Sequence, residues 1–328
     1  MSEMTYRDAL NLALKEEMRR DPSVFVLGED VALYEGSFKV TRGLLAEFGE
    51  ERVKDTPISE NTIIGVAVGA AMGGLRPVAE LMTVNFALLA MDQIINHMGK
   101  IRSMFGGQTH LPMTIRMPGG GGSQLAAQHS QSLETMFMHC PGIHVVYPAT
   151  PADAKGLLKS AIRNNNPTVF LEHELLYNSK GEVPDDPELI VPIGKADVKR
   201  AGNQVTIIAY ARMTVLALQA AEVLEAEGIS CEVVDLRSLA PLDDATIIAS
   251  VKRTGRAVVV EECWRTCGLG AEIASRIYDG CFDLLQAPVR RVSGLDVPMP
   301  YSRKIEKICI PQVEDISQAV RDVMGGKY

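Results

Sequence analysis

Apolar residues in this chain gather in short runs separated by longer amphipathic stretches. Val24–Leu27, Pro77–Met82, Met113–Met117, His144–Tyr147 and Thr168–Leu171 are short, nearly unbroken apolar runs, the pattern of strands buried on both faces. Between them apolar positions recur at helical spacing. Ala9, Leu10, Ala13 and Leu14 share one face of a helix that starts at Thr5, with Asp8 closing the cap, and stops before Pro22. A second helix is expected over Pro151–Arg163, with Thr150 as cap, Pro151 at its first position and Asp153 completing the box. The segment MTVNFALLAMDQIINHMGKIRSMFGG also reads as helical, with Phe86, Leu89, Ile94 and Ile95 on the buried face.

Around Tyr177–Pro192 the pattern stops. NSKGEVPDDPELIVP is polar, holds Pro184, Pro187 and Pro192 and has no period, so it reads as a linker. Strand and helix then alternate again: Val205–Tyr210, a helix to Glu227, Cys231–Leu236, a helix from Leu242, Ala257–Glu262, a helix from Gly268, Val289–Ser293 and a last helix near Val313–Met324. Alternation of this kind implies parallel sheets covered by helices. The expectation is two three-layer α/β domains, over residues 1–178 and 201–328, joined by a linker at 179–200.

Composition narrows the function classes. The net charge of −8 opposes nucleic-acid binding, which needs an excess of Lys and Arg to neutralise phosphates. The six cysteines form no C-x-x-C pair, and the start MSEMTYRDAL lacks the basic and apolar regions of a signal peptide. Apolar tracts such as Ile63–Leu75 are too short and too rich in glycine to span a bilayer. A soluble, cytoplasmic protein with no membrane partner is expected.

Open parallel sheets bind ligands beyond the carboxyl ends of their strands, and two acids fall at such places. Glu29 follows Val24–Leu27, and Glu60 sits in DTPISEN just before an apolar helix. By spacing alone, Glu60 is either a first-turn acid that complements the helix dipole or a half-buried carboxyl tuned for proton transfer. Gly119–Gly122 either let the backbone approach a ligand or form a flexible loop; no Lys-Ser/Thr follows, so a P-loop is excluded. His129 comes shortly after, as a surface residue or a functional one. The six histidines make no H-x-x-x-H pair, and neither G-x-G-x-x-G nor G-x-S-x-G occurs.

Several stretches together carry a family resemblance. GEDVALYEGSFKVTRGL, DTPISENTIIGVAVGAAMGGLRPVAELMTVNF, the stretch ending QHSQ, DAKGLLKSAIRNNNP and VVVEECWRTCGLGAEI resemble the β subunits of thiamine-diphosphate-dependent 2-oxo-acid dehydrogenases, in order from Met4 to Met324. The resemblance implies a pyrimidine-binding domain followed by a transketolase C-terminal-like domain. It implies that Glu60 hydrogen-bonds the pyrimidine ring of thiamine diphosphate and that Phe86 packs on that ring, with Glu29 and Met82 also facing the cofactor and Tyr34 a weaker candidate. It implies that His129 gives a proton when the acyl group passes to a lipoyl disulfide. Backbone oxygens of Met113, Ala161, Ile162, Asn164 and Asn166 match a structural potassium site of the family, although Asn164 stands where relatives often have Asp.

The Gly-Asp-Gly…Asn motif that holds Mg²⁺ and the diphosphate in thiamine enzymes is absent from the sequence. In the resembled family an α subunit supplies it. The implied assembly is an α₂β₂ heterotetramer that is active only when complete and docks on a lipoyl-bearing dihydrolipoyl acyltransferase core. Among substrates the resemblance favours the pyruvate enzyme (acetyl-transferring), then acetoin dehydrogenase, then the branched-chain enzymes.

Overall fold

A computed structural model describes residues Met1–Gly326. The chain forms two compact units: Met1–Gly119 with Met136–Ile193, and Gly120–Thr135 with Gly194 onward. Both are of the α/β type the alternation implies. The divisions fall elsewhere than expected. The second unit begins at Gly194 rather than after a linker, and a stretch after Gly119, read as part of the first domain, belongs to the second unit.

In the first unit the strands are β1 (Ser2–Thr5), β2 (Val24–Gly28), β3 (Val53–Asp55), β4 (Arg76–Glu80), β5 (Thr114–Gly119), β6 (His144–Val146), β7 (Thr168–His173) and β8 (Lys180–Val183). Six of them run parallel in the order β6-β7-β5-β4-β2-β3. The central strands are buried on both faces, which is why they read as continuous apolar runs. The helices are α1 (Tyr6–Arg20), α2 (Leu44–Phe48), α3 (Glu60–Met72), α4 (Ile101–Met104), α5 (Glu134–Met138), whose first residues, Glu134 and Thr135, belong to the second unit, and α6 (Pro151–Arg163). The Thr5 and Thr150 side chains accept from the amides of Asp8 and Asp153, so both expected caps form.

Two expectations need correction. The stretch expected to be one helix around Phe86 is a 3₁₀ turn (Val84–Ala90), a π-helical turn (Gln93–Met98) and the short α4. Of its four expected core residues only Ile94 is buried; Phe86 and Ile95 are half-buried and Leu89 is exposed. The supposed linker is anchored rather than free. Its residues Lys180–Val183 pair antiparallel with Ser2–Thr5. Buried Lys155 and Lys159 of α6 donate to the carbonyls of Asp186 and Pro187 while pairing with Glu16, and the Ser160 hydroxyl donates to Val191 O at 2.6 Å.

The second unit contains β9 (Asp197–Arg200), β10 (Val205–Ala209), β11 (Cys231–Asp235), β12 (Ser238–Ala240), β13 (Ala257–Trp264) and β14 (Arg290–Gly294). Its sheet runs β14-β13-β10-β11-β9, parallel except for the edge strand β9. Helices α7 (Ala211–Glu225), α8 (Asp244–Thr254), α9 (Leu269–Cys281), α10 (Arg303–Cys309) and α11 (Val313–Gly325) complete it. Val205, Ile207, Val233, Val258, Ala217, Ala221 and Val320 meet in its core. No described helix is long and apolar enough to cross a membrane.

Candidate active site

The path of the chain through the first sheet creates a site at one edge. From β2 it passes to β3 on one side and then to β4 on the other, so the order reverses about β2. Parallel strands put all their carboxyl ends on the same edge, and a crevice opens where the order reverses. Glu29 directly follows β2, Glu60 opens α3 soon after β3, and Met82 lies just beyond β4. Three of the expected cofactor-facing residues therefore share this edge, and Phe86 follows in the 3₁₀ turn.

Glu60 is 5% exposed as a residue, and its carboxylate oxygens are not among the buried side-chain atoms that lack a partner. Its position in the first turn of α3 supplies the dipole contact that spacing alone allowed. Glu29 is half-buried and close enough to interact with Glu60. Burial, then the charges of Glu60 and Asp30, push its carboxyl above the ordinary range. The loop after Glu29 is conformationally unusual: Asp30, Glu35 and Lys39 have φ of 58°, 64° and 62°. Left-handed non-glycine residues persist only where the surroundings hold them.

Below this edge lies a buried ionic network that the sequence did not disclose. Arg116 on β5 is 1% exposed and donates to Glu80 of β4 at 2.5 Å and twice to Glu172 of β7 at 2.7 Å. The Tyr177 hydroxyl also donates to Glu172 at 2.7 Å, and its ring stacks on Phe38 with centroids 4.8 Å apart. Two carboxylates share one guanidinium here. Burial is the main reason the Glu80 carboxyl is raised, with Glu172 adding to it and Arg116 opposing. The only sequence signal was an arginine inside the apolar strand TIRMPG.

The residues expected around potassium lie at the end of α6, in the turn after it and just before β5. Ala161 and Ile162 end α6, and the carbonyl of Met113 accepts from Thr168 N. The Asn164 side chain turns back to accept from Asn166 N at 2.8 Å. Arg76 donates to the carbonyls of Ile162 and Asn164 at 2.9 and 3.2 Å, so a cation already rests on two of these oxygens. Each carbonyl oxygen has a second lone pair. No group of three or more His, Cys, Asp or Glu side chains able to hold a metal occurs among the described residues.

His129 is not in the same unit as Glu60. It is exposed, in the Gly120–Thr135 stretch that packs with the second unit. The glycine run does approach something closely, but that something is protein. A Cβ at Gly121 would lie 2.7 Å from Ile310 Cδ1 and 3.0 Å from Met299 Cε. The Gly121 amide donates to Glu262 and the Gly122 amide to Glu306. Neither carboxylate was foreseen, although the pair Glu261-Glu262 ending an apolar strand is a readable signal.

Similarity to known proteins agrees with this architecture. Residues 2–180 match the family described as transketolase, pyrimidine binding domain, and residues 194–316 match transketolase, C-terminal domain. The chain is 50% identical to the pyruvate dehydrogenase E1 component subunit beta of Rhizobium meliloti (strain 1021), covering 98% of this chain and 70% of the relative. Identity to the subunit of that name from Rickettsia bellii (strain RML369-C) is 49%, covering 98% of both chains. The human mitochondrial subunit is 48% identical, with 98% and 91% covered. A solved structure described as split gene transketolase, inactive beta4 tetramer, superposes with a TM-score of 0.80 at 27% identity, covering 99% of each chain. With two transketolase-type domains in this order and such identity along nearly its whole length, the chain belongs to the family of pyruvate dehydrogenase E1 beta subunits.

Proposed function

We propose that this chain works with an α subunit in an α₂β₂ assembly to carry out thiamine-diphosphate-dependent oxidative decarboxylation of pyruvate and reductive acetylation of lipoyl groups on a dihydrolipoyl acyltransferase core. The observation that carries this reading is the placement of Glu29, Glu60 and Met82 together at the carboxyl edge of a parallel sheet, where the strand order reverses. A pyrimidine ring nitrogen that shares a proton would be the partner of the Glu60 carboxylate. The sequence-level likeness to pyruvate dehydrogenase subunits supports pyruvate.

When bound, thiamine diphosphate supplies the electron sink that carboxylate loss requires. Glu60 holds the proton at the ring nitrogen, where burial strengthens the hydrogen bond. Glu29 keeps a second carboxyl beside it, raised above the ordinary range by burial and then by the charge of Glu60, while Met82 and Phe86 offer half-buried apolar surface to the ring. Arg116, Glu80 and Glu172 stiffen the strands from which these residues project. His129, exposed on its loop, is accessible to an arriving lipoyl group and donates the proton that leaves with the acylated thiol. Mg²⁺ and the diphosphate are held by the α subunit, and the carbonyls of Met113, Ala161, Ile162, Asn164 and Asn166 hold a potassium ion.

The test is turnover of the chain co-expressed with its α partner, given thiamine diphosphate, Mg²⁺ and an artificial electron acceptor. Pyruvate, acetoin and a branched-chain 2-oxo acid are offered in parallel. Preference for pyruvate is expected. Preference for acetoin moves the protein to a neighbouring activity with the same site, and silence with all three overturns the enzymatic reading.

A further inference from the structure

We propose that Glu262 and Glu306 are positioning residues that hold the His129 loop in one conformation and so govern acyl transfer; the functional half of this inference rests on the His129 reading above.

The loop from Gly120 to Ser132 contains no helix or strand, and all its residues but Leu125 are small or polar. It is nevertheless held in a demanding shape. Gly120 and Gly122 have φ of 90° and 103°, and two residues with side chains, Gln124 and Ala126, have φ of 60° and 63°. Left-handed geometry at a residue with a Cβ costs roughly 1–3 kcal/mol, so an outside constraint must fix it. Two buried carboxylates of the same unit provide one. Glu262, at the end of β13, accepts from the Gly121 amide at 2.7 Å and the Ser132 hydroxyl at 3.2 Å. Glu306, 1% exposed on α10, accepts from the Gly122 amide at 2.9 Å and the Gln124 amide at 3.1 Å.

Carboxylate-to-amide bonds of this kind are charge-assisted and directional, so they select one backbone path. Glu262 grips both ends of the loop, through Gly121 and Ser132, while Glu306 grips its left-handed corner. The glycines serve this arrangement by baring their amides, since a Cβ at Gly121 would meet Ile310. His129 sits between the two grips, five residues past Gln124 and three before Ser132. Its direction is inherited from carboxylates that do not touch the reacting atoms.

The experiment uses the assembled holoenzyme carrying Glu306→Gln, Glu306→Ala or His129→Ala, and the Glu306→Ala, His129→Ala double variant. Amide hydrogen exchange over residues 120–132 is read beside the ratio of lipoyl-domain acylation to artificial-acceptor turnover. Expected for Glu306→Ala is at least tenfold faster exchange confined to the loop and a tenfold lower ratio, with the near-isosteric Glu306→Gln intermediate and no further loss in the double variant. Unchanged loop exchange in both Glu306 variants overturns the positioning role. Faster exchange with an unchanged ratio, while His129→Ala lowers the ratio, overturns the link from loop to transfer. If His129→Ala itself leaves the ratio intact, the His129 reading fails instead, and loop exchange alone decides whether the carboxylates hold the backbone.

Discussion

The Tyr210 hydroxyl donates a 2.6 Å hydrogen bond to the carboxyl of Glu134, and both groups are buried within the second unit. The surroundings of Glu134 are acidic or weakly acidic: Tyr210 on one side, Cys263 against that phenol, and Glu261 and Glu262 close by. Burial pushes the Glu134 carboxyl up to about 7, with the two neighbouring glutamates adding and the Tyr210 hydrogen bond opposing. Tyr210 and Cys263 are raised in turn, mainly by burial. The folded protein thus keeps a proton that the unfolded chain releases.

That proton makes stability depend on pH. In the unfolded chain the Glu134 carboxyl ionises near the ordinary 4.5, whereas folded it ionises near 7. Its contribution is full below the unfolded value and is lost as pH rises through about 7, a change of roughly 3 kcal/mol. Glu134→Gln keeps an acceptor for Tyr210 and cannot ionise. At pH 8 the variant is expected to be more stable than the parent by about 1–3 kcal/mol, and at pH 4 about equal. Thermal midpoints at the two pH values decide it, and an equal offset at both contradicts the assignment.

Glu60→Gln removes the proton site while preserving shape. Turnover of the assembled enzyme is expected to fall about 10²–10⁴-fold, the usual scale for a lost proton-transfer group. One of the charges that raise Glu29 also disappears, so the Glu29 carboxyl is expected to titrate lower in the variant. Infrared difference titration of the carboxyl bands reads this directly. A Glu29 band that stays in place would show that the charge of Glu60 does not raise it.

Arg116 cannot be exchanged for Lys at no cost. It serves Glu172 through two parallel bonds and Glu80 through a third, a fork that an ammonium does not reproduce. Arg116→Met leaves two buried carboxylates uncompensated and is expected to cost about 3–5 kcal/mol. Arg116→Lys should recover only part of that. Chemical denaturation of the three proteins provides the measurement, with full recovery by Lys as the contrary result.

Potassium is expected to stabilise the first unit if the carbonyls of Met113, Ala161, Ile162, Asn164 and Asn166 hold it. Replacing potassium by the smaller lithium should lower the thermal midpoint of the parent. Arg76 donates to two of the same carbonyls, Ile162 O and Asn164 O, so Arg76→Met should alter the response. Indifference of the parent to the exchange argues against an occupied site.

What could be read in the sequence follows physical lines. Helix α6 was legible because Thr150, Pro151 and Asp153 are local signals that need no tertiary contact. Glu29 and Glu60 were legible as strand-end acids because parallel sheets place ligands there. The Val84–Met104 stretch was not, since dense apolar residues hide the period and packing chose 3₁₀ and π turns. The Glu80–Arg116–Glu172 network joins residues 36 and 56 positions apart, and nothing local pairs them. The segment Asn178–Pro192 looked free because its anchors, Lys155 and Lys159, lie on α6.

The Gly120–Thr135 stretch also has a consequence in time. Its amides are made long before their carboxylate partners: Gly121 precedes Glu262 by 141 residues and Gly122 precedes Glu306 by 184. At about 5–20 residues per second, a ribosome takes roughly 10–40 s to close that gap. Until then the nascent chain carries an unclasped, glycine-rich bight between two strands of its first sheet. The histidine of that bight is among the last features to be set, so a truncated product can fold its first sheet and still lack an ordered His129.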